Sequence, residues 1–373
     1  MTDRGPTPDR TAASTPNPVT PAGKVFPLPR FRPSLILLQA EGDQLIPRGI
    51  IPLRDLHGVP ITGLPNRPGP DATDDEYAYW TNEMGVQVGL APDANALDIE
   101  DGRPLPGGRW VLVEEYRPSI VIVSPDGTVL KRYIPANVPL RCAYPVNNTV
   151  IPEVFKNRRV NRGFESVAVS PSGRKAYVVT QSPLGPAPGA GDTRESRVFR
   201  LLELDLSDPL EASLSAEYIL FGSPVAHYPD PGHKGQADPK ICAMDWVGPG
   251  RLLLLERAAA MAKLVLVDFS RATNVKNLSL AQTLALELLT PRSLPPRIVA
   301  ARTEVVLTLS TNAQPAGLIP VDLVIPDDKL EGLSILNADE VALANDNDFG
   351  VSVTPSPCKV WVIRLKDRLP IAR

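Results

Sequence analysis

The sequence predicts an all-β chain, a β-propeller of six or seven four-stranded blades. Three observations predict it: an excess of proline, short apolar runs separated by turn residues, and one hairpin plan that returns four times. The 373 residues include 42 prolines, about twice the usual ~5%. Proline lacks the backbone N–H and disrupts helix interiors. Here the prolines are spread from Pro6 to Pro370, which argues for many short strands. A hydrophobic fraction of 43% is ordinary, and a chain of this length can bury a large core.

Residues 1–30 are rich in Pro, Thr, Ala and Ser and are expected to form a disordered leader. Residues 31–373 are expected to form a single propeller domain. From about Arg48 onward, apolar runs alternate with clusters of Pro, Gly, Asp and Asn, the pattern of strands and turns. Strands are expected at 110–113, 120–123, 166–169, 176–179, 252–255, 264–267, 341–344 and 360–363. Between them lie Ser124-Pro-Asp-Gly127, Ser170-Pro-Ser-Gly173 and Gly248-Pro-Gly250, each with a Pro that presets φ and a Gly that tolerates positive φ. Residues 278–289 have apolar residues at mixed spacing and read as either a helix or a strand pair.

Four segments share one plan: an acidic residue, an apolar strand, a turn, a second apolar strand, then polar residues. The first runs from Glu100 to Glu114-Glu115, the second from Glu165 to Gln181, the third from Asp245 to Glu256-Arg257, and the fourth from Glu331 to Asn345-Asp-Asn-Asp348. Self-similarity of this kind marks propellers and solenoids, and blades of ~40–50 residues would divide the chain into six or seven. The spacing is uneven, so some blades carry insertions.

A hairpin leaves one end of a sheet and returns to it, so the residue opening its first strand and the residue closing its second share that end. The first strand of each propeller blade lines the centre. Glu100 with Glu115, Glu165 with Gln181, Asp245 with Glu256 and Glu331 with Asp346 are therefore expected at one mouth. Carboxylates so gathered bind a cation, pair with arginine or hold a proton. Oxygen-only ligands select Ca²⁺, and after it Mg²⁺. The alternative is that each acid accepts backbone N–H bonds in its own turn. Arg257 and Arg162 are the candidate counter-charges, able to hold a phosphate or carboxylate or simply to neutralise their neighbours.

Other classes are excluded or disfavoured. A formal net charge of -3 without a basic stripe gives no footprint for nucleic acid. Apolar runs such as 34–38 and 252–255 are far too short to span a bilayer. Cys142, Cys242 and Cys358 are odd in number, lack C-x-x-C spacing and read as small buried hydrophobes. The only histidines, His57, His227 and His233, form no H-E-x-x-H motif, and the last two lie in or beside a Pro/Gly-rich loop that reads as exposed. No G-x-S-x-G elbow is present, which disfavours a nucleophilic serine. A monomer is expected.

Asn161-Arg-Gly-Phe-Glu-Ser-Val-Ala-Val-Ser-Pro-Ser-Gly173 followed by Gln181-Ser-Pro-Leu184 resembles the signature of the phytase-like family, "esterase-like activity of phytase". So do Glu115-Tyr-Arg-Pro-Ser-Ile120, Leu252-Leu-Leu-Leu-Glu-Arg257, Leu330-Glu-Gly-Leu333 and Asn345-Asp-Asn-Asp-Phe-Gly350, in family order over roughly 45–365. The resemblance implies an exported propeller, extracellular or periplasmic. The N-terminus shows no apolar core of the kind a signal peptide needs, so a cytoplasmic location stays open beside it. The family's acids fall on Glu115, Glu165, Glu256, Glu331, Asp346 and Asp348. The sequence departs from the pattern at Asp101 and Arg117, where the family has Gly, and at Asp245, where it has Glu.

Two functions follow. One is a metal-assisted hydrolase of an ester or phosphoester, with Glu115, Glu165 and Arg257 catalytic and with Glu100, Glu165, Glu256, Glu331, Asp346 and Asp348 as metal ligands. In it the bound ion polarises the ester or phosphoryl oxygen and Glu115 is the general base. The other is a binding propeller with the same acids holding a structural calcium ion. A propeller lactonase is a third class with a similar acid-bound ion.

Overall fold

Proline and glycine turns cut the chain into short strands, and the fold is all-β with one short α-helix. The structure is a computed structural model that describes residues 4–7, 23–67, 75–185, 192–228, 235–258, 261–311, 321–325, 329–350 and 357–371. It separates into two units, Met1–Lys156 with Asp348–Pro355, and Asn157–Asn347 with Ser356–Arg373. The boundary between them falls near Lys156, inside the 31–373 span expected to form one domain.

The first unit holds β1 (Gly23–Val25), β2 (Ser34–Glu41), β3 (Gln44–Pro52), β4 (Tyr77–Thr81), β5 (Gln87–Gly89), β6 (Ile99–Pro104), β7 (Trp110–Glu114), β8 (Ser119–Val123), β9 (Val129–Pro135) and β10 (Val146–Ile151). β2 and β3 form a hairpin, and β1, β4 and β5 form a small sheet. β6 to β9 pair antiparallel in sequence order, and β10 extends them in parallel. Leu53, Ile61, Leu97, Leu112, Val121, Val123 and Val129 are buried together as its core, each contributing roughly 1.5–3 kcal/mol of hydrophobic stabilisation.

Part of the segment expected to be a disordered leader is built into this unit. Gly23–Val25 pairs in parallel with Tyr77–Tyr79, and Arg4 and Gly5 are buried. The Arg4 backbone runs so close to Gly63 that a Cβ there would meet the Arg4 carbonyl oxygen at 2.2 Å. Its guanidinium reaches Glu76 and Asp98. Residues 8–22 of the same segment lie outside the described residues.

The second unit repeats the meander. β11 (Phe164–Val169), β12 (Lys175–Thr180), β13 (Val198–Asp205) and β14 (Ser213–Phe221) form a four-stranded antiparallel sheet. β15 (Lys240–Gly248), β16 (Arg251–Arg257), β17 (Met261–Asp268), β18 (Arg302–Ser310) and β19 (Leu323–Val324) form a five-stranded one. β20 (Leu330–Asn337), β21 (Glu340–Asn345) and β22 (Val360–Arg364) form a three-stranded one. The first strands β11, β15 and β20 are neighbours. Apolar side chains interleave between successive sheets: Ala168, Tyr177, Phe199 and Leu201 against Met244, Leu252 and Leu254, then Leu253, Leu255 and Leu264 against Leu330, Leu333, Val341 and Leu343.

Sequential antiparallel sheets stacked first strand beside first strand are β-propeller blades. All eight expected strands fall inside β7, β8, β11, β12, β16, β17, β21 and β22. Among the described residues there are six sheets, and only β11 to β14 has the expected four strands. The ambiguous stretch at 278–289 contains α1 (Leu280–Leu286), started by a reciprocal Ser279–Gln282 capping box and buried through Leu286.

Gly127 carries the expected turn chemistry. It has φ +88°, and a Cβ on it would meet the Pro52 carbonyl oxygen at 2.3 Å. Gly127→Ala is expected to cost roughly 2–3 kcal/mol, from the left-handed backbone and the clash together. The urea midpoint checks it, and an unchanged midpoint would show that the β8–β9 turn relaxes freely.

Candidate functional site

The first strand of four sheets carries a one-residue bulge near its start. Pairing jumps from Ile99–Glu114 to Asp101–Val113, from Phe164–Thr180 to Ser166–Val179, from Ile241–Glu256 to Ala243–Leu255 and from Leu330–Asn345 to Gly332–Ala344. The extra residues are Glu100, Glu165, Cys242 and Glu331. A bulge re-aims its side chain out of the pleat, which is why bulges gather at functional sites. Three of the four are the acids expected to open their hairpins. The third hairpin differs: Asp245 pairs with Leu253 in mid-strand, and the bulge position belongs to Cys242. The residues after the closing pair are Glu115, Gln181, Arg257 and Asp346.

In the second unit this geometry gathers one cluster. Ligand atoms of Glu165, Cys242 and Glu331 lie within 4.8 Å of one another. Glu165 is only 2% exposed, Arg257 6%, and Glu331 is partly exposed. Arg257 Nη2 donates to Glu331 Oε1. Burial works against the Arg257 charge, but Cys242, Glu331 and Glu165 more than offset it, and its pKa lies above the ordinary value. Burial, with Glu165 and Glu331 beside it, pushes the Cys242 thiol up to about 12, against the opposing pull of Arg257. Lys240 is the cross-strand partner of Arg257. Its pKa is lowered by burial and by the like charges of Arg257 and Arg162. Arg162 donates to the Ala237 carbonyl at 2.9 Å.

The first unit gathers a second cluster. Oxygen atoms of Asp98, Glu100 and Glu115 lie within 4.8 Å of one another. Asp98 and Glu115 are buried, and the Glu115 N–H donates to the Asp98 carbonyl at 2.9 Å. Arg4 Nη1 stands 3.0 Å from Asp98 Oδ2 and 2.8 Å from Glu76 Oε2. Burial disfavours the Arg4 charge, yet Asp98, Tyr116, Glu76 and Glu115 hold its pKa well above the ordinary value. Sequence reasoning missed Asp98 and Arg4. Arg117, where the family pattern has glycine, adopts φ 53°, the left-handed backbone that glycine takes without strain. Its side chain is buried and donates to the Arg67 carbonyl at 3.2 Å.

The other expected site residues are engaged elsewhere. Glu256 accepts from the Ser223 N–H at 2.9 Å and from the Tyr228 hydroxyl at 2.6 Å. It faces away from the cluster because neighbours along a strand alternate faces, and Arg257 takes the cluster side. Asp245 accepts from its own Trp246 N–H at 2.8 Å and from Ile335 N–H at 2.7 Å, joining β15 to β20. Asp346 pairs with Lys329 at 2.6 Å, and that ammonium lies 4.0 Å from Glu331. Asp348 belongs to the first unit, in a short 3₁₀ turn with φ 48°. His57 and His227 are exposed, and His233 lies outside the described residues.

One signal in the sequence would have found Cys242. Each bulge residue stands eight positions before its turn residue: Glu100 and Gly108, Glu165 and Gly173, Cys242 and Gly250, Glu331 and Asp339. A cavity of about 620 Å³ lined by Tyr177, Tyr218, Trp246 and Phe269, and by Ser170 and Gly250 of the turns, lies at the turn end of these strands. No helix among the described residues is long and apolar enough to cross a membrane.

Comparisons with known proteins bear on the chain as a whole. No curated protein matches it. Among solved structures it is similar to a structural-genomics protein from Lactobacillus plantarum at 10% identity and TM-score 0.31, over 95% of this chain and 82% of that one. A protein of unknown function from Bacteroides caccae is 8% identical with TM-score 0.31, over 77% and 86%. The β-propeller domain of Cps50 (Swd1) from Myceliophteria thermophila is 11% identical with TM-score 0.24, over 71% of each. The family assignment rests on none of these low scores but on the match of residues 31–349 to a single family profile. The chain belongs to the phytase-like family described as esterase-like activity of phytase.

Proposed function

We propose that this protein is a hydrolase of an ester or phosphoester, with Glu165, Arg257 and Glu331 as its reacting centre. The observation that carries the reading is the convergence of Glu165 and Glu331 from separate sheets onto one buried arginine. Glu165 acts as general base: it takes a proton from water as the water oxygen attacks the carbonyl or phosphoryl centre. The bond to the leaving oxygen breaks, and the proton passes to the departing alcohol. Arg257, oriented by Glu331, neutralises charge developing on the attacked group. Glu115, expected as the base, belongs to the first unit's cluster, so the role passes to Glu165.

The expected Ca²⁺ fits one cluster and not the other. Asp98, Glu100 and Glu115 offer only oxygen donors, the set a hard cation takes. Glu165, Cys242 and Glu331 include a thiol that burial pushes up to about 12, a donor that suits neither Ca²⁺ nor Mg²⁺. A divalent ion at the first site would supply charge neutralisation and stiffen that unit. The same oxygen cluster supports a second reading, a binding propeller with structural calcium and no turnover.

Assays on p-nitrophenyl acetate, p-nitrophenyl phosphate, phytate and a simple lactone, each with Ca²⁺ and with EDTA, separate these readings. Turnover of an ester or phosphate by the purified chain is the expected result. Ca²⁺ is expected to raise the melting temperature, and Glu100→Gln to abolish that rise. Metal-dependent melting without turnover of any substrate would leave the binding propeller standing and remove the hydrolase.

A further inference from the structure

We infer that Lys240 and Arg257 form a seat for an oxyanion, the phosphate or carboxylate end of the substrate. The inference deepens the proposed function and rests on the same cluster. Lys240 and Arg257 are directly opposed across β15 and β16. Like charges so placed repel and destabilise a sheet unless something lies between them. Arg257 holds Glu331 through Nη2, but among the described residues its buried Nε has no hydrogen-bond partner. The Lys240 ammonium feels the repulsion of Arg257 and Arg162 and the weaker attraction of Cys242 and Glu165. Arg162 adds a third positive charge close enough to act on Lys240, and one of its nitrogens is held on the Ala237 carbonyl. Glu331 is shared between Arg257 and, at 4.0 Å, Lys329, which also holds Asp346 at 2.6 Å.

The placement suits a ligand that arrives from solvent. Lys240, Arg162 and Glu331 are partly exposed, whereas Arg257 and Glu165 lie buried beneath them. An oxyanion with one oxygen toward Arg257 Nε and another toward Lys240 Nζ would satisfy both donors and cancel their repulsion. The phosphorus of a phosphoester so held, or the separate ester carbonyl of a substrate held by its carboxylate, would then be open to attack by a water that Glu165, the proposed base, deprotonates. Neutral esters lack the group this seat takes, so anionic esters are the substrate class.

Calorimetric titration of the full chain with inorganic phosphate, and in a second arm with acetate, tests this at constant ionic strength. Saturable binding with a Kd of about 1 mM is expected for phosphate, about tenfold weaker in Lys240→Met. Because Lys240→Met also removes the opposed charge, its melting temperature without ligand should equal or exceed that of the parent chain. That distinguishes lost binding from lost folding. Phosphate binding alone assigns a phosphoester, and binding of both probes assigns any oxyanion; either result, if Lys240-dependent, upholds the seat. Absent binding of both probes, or equal binding by Lys240→Met, overturns it. The hydrolase reading fails separately: binding would persist while no ester in the panel turns over. Conversely, turnover of p-nitrophenyl acetate without any oxyanion binding keeps the hydrolase and removes the seat.

Discussion

Arg132→Met is expected to destabilise the first unit by about 3–5 kcal/mol, the cost of stripping one partner from a buried ion pair. Arg132 is 0% exposed and donates to Glu114 at 2.6 Å, Ser119 at 2.7 Å, Asn66 at 2.8 Å and the Tyr116 carbonyl at 2.8 Å. Glu114 also accepts from Ser119 and, at 2.8 Å, from the Tyr116 N–H, so the pair ties the end of β7 to β8 and β9. Burial raises the Glu114 pKa, Arg132 lowers it, and the net position is above the ordinary carboxylate value. A carboxyl raised on folding contributes stability that is present below its unfolded pKa and is lost as pH rises through the folded one. Removing Arg132 raises Glu114 further, so the deficit should be largest at neutral pH and shrink as pH falls toward 5. Adding Glu114→Gln should recover about half of the loss, since no buried charge then remains. Urea melts at both pH values check this. An equal loss at each pH, with no recovery in the double variant, would mean that Arg132 acts through packing alone.

The parts of the fold that were legible share a local cause. Turn residues and short apolar runs mark strands without reference to the rest of the chain, so β7, β8, β11, β12, β16, β17, β21 and β22 are legible, whereas β9, β13, β14 and β18, which carry charged and polar residues among their apolar ones, are not. Bulges are set by pairing between strands, and no single strand announces one. Three of the four bulges carry an acid, so the acid of the third hairpin, Asp245, stands out in the sequence although the bulge there belongs to Cys242. The constant eight-residue interval to the turn, a purely positional signal, points to Cys242 whatever its chemistry. Glu256 was grouped with the site because it closes a hairpin, but alternation along β16 sends it to Ser223 and Tyr228 and sends Arg257 to Glu331. Arg4 had no pattern to betray it. One arginine in a Pro/Thr-rich stretch is recognisable only once Gly63 and Asp98 are seen around it.

Glu165→Gln is expected to lower kcat roughly 10²- to 10⁴-fold on whichever ester the chain hydrolyses, the usual cost of losing a general base. The amide fills the same space at the bulge and can still accept a hydrogen bond, but it cannot take a proton from water. KM should move only a few-fold, because Arg257 and Lys240, which hold the substrate, are untouched. Arg257 also keeps its contact with Glu331, so the melting temperature should change little. Glu331→Gln should behave differently. It loosens the arginine, so KM should rise with a smaller fall in kcat. The pH profile separates a base from a structural carboxylate: the parent's kcat/KM should fall on the acid side as Glu165 protonates, and that limb should vanish in Glu165→Gln. A variant that keeps both its turnover and its acid limb would remove Glu165 from the chemistry and leave Glu331 as the carboxylate to test as base.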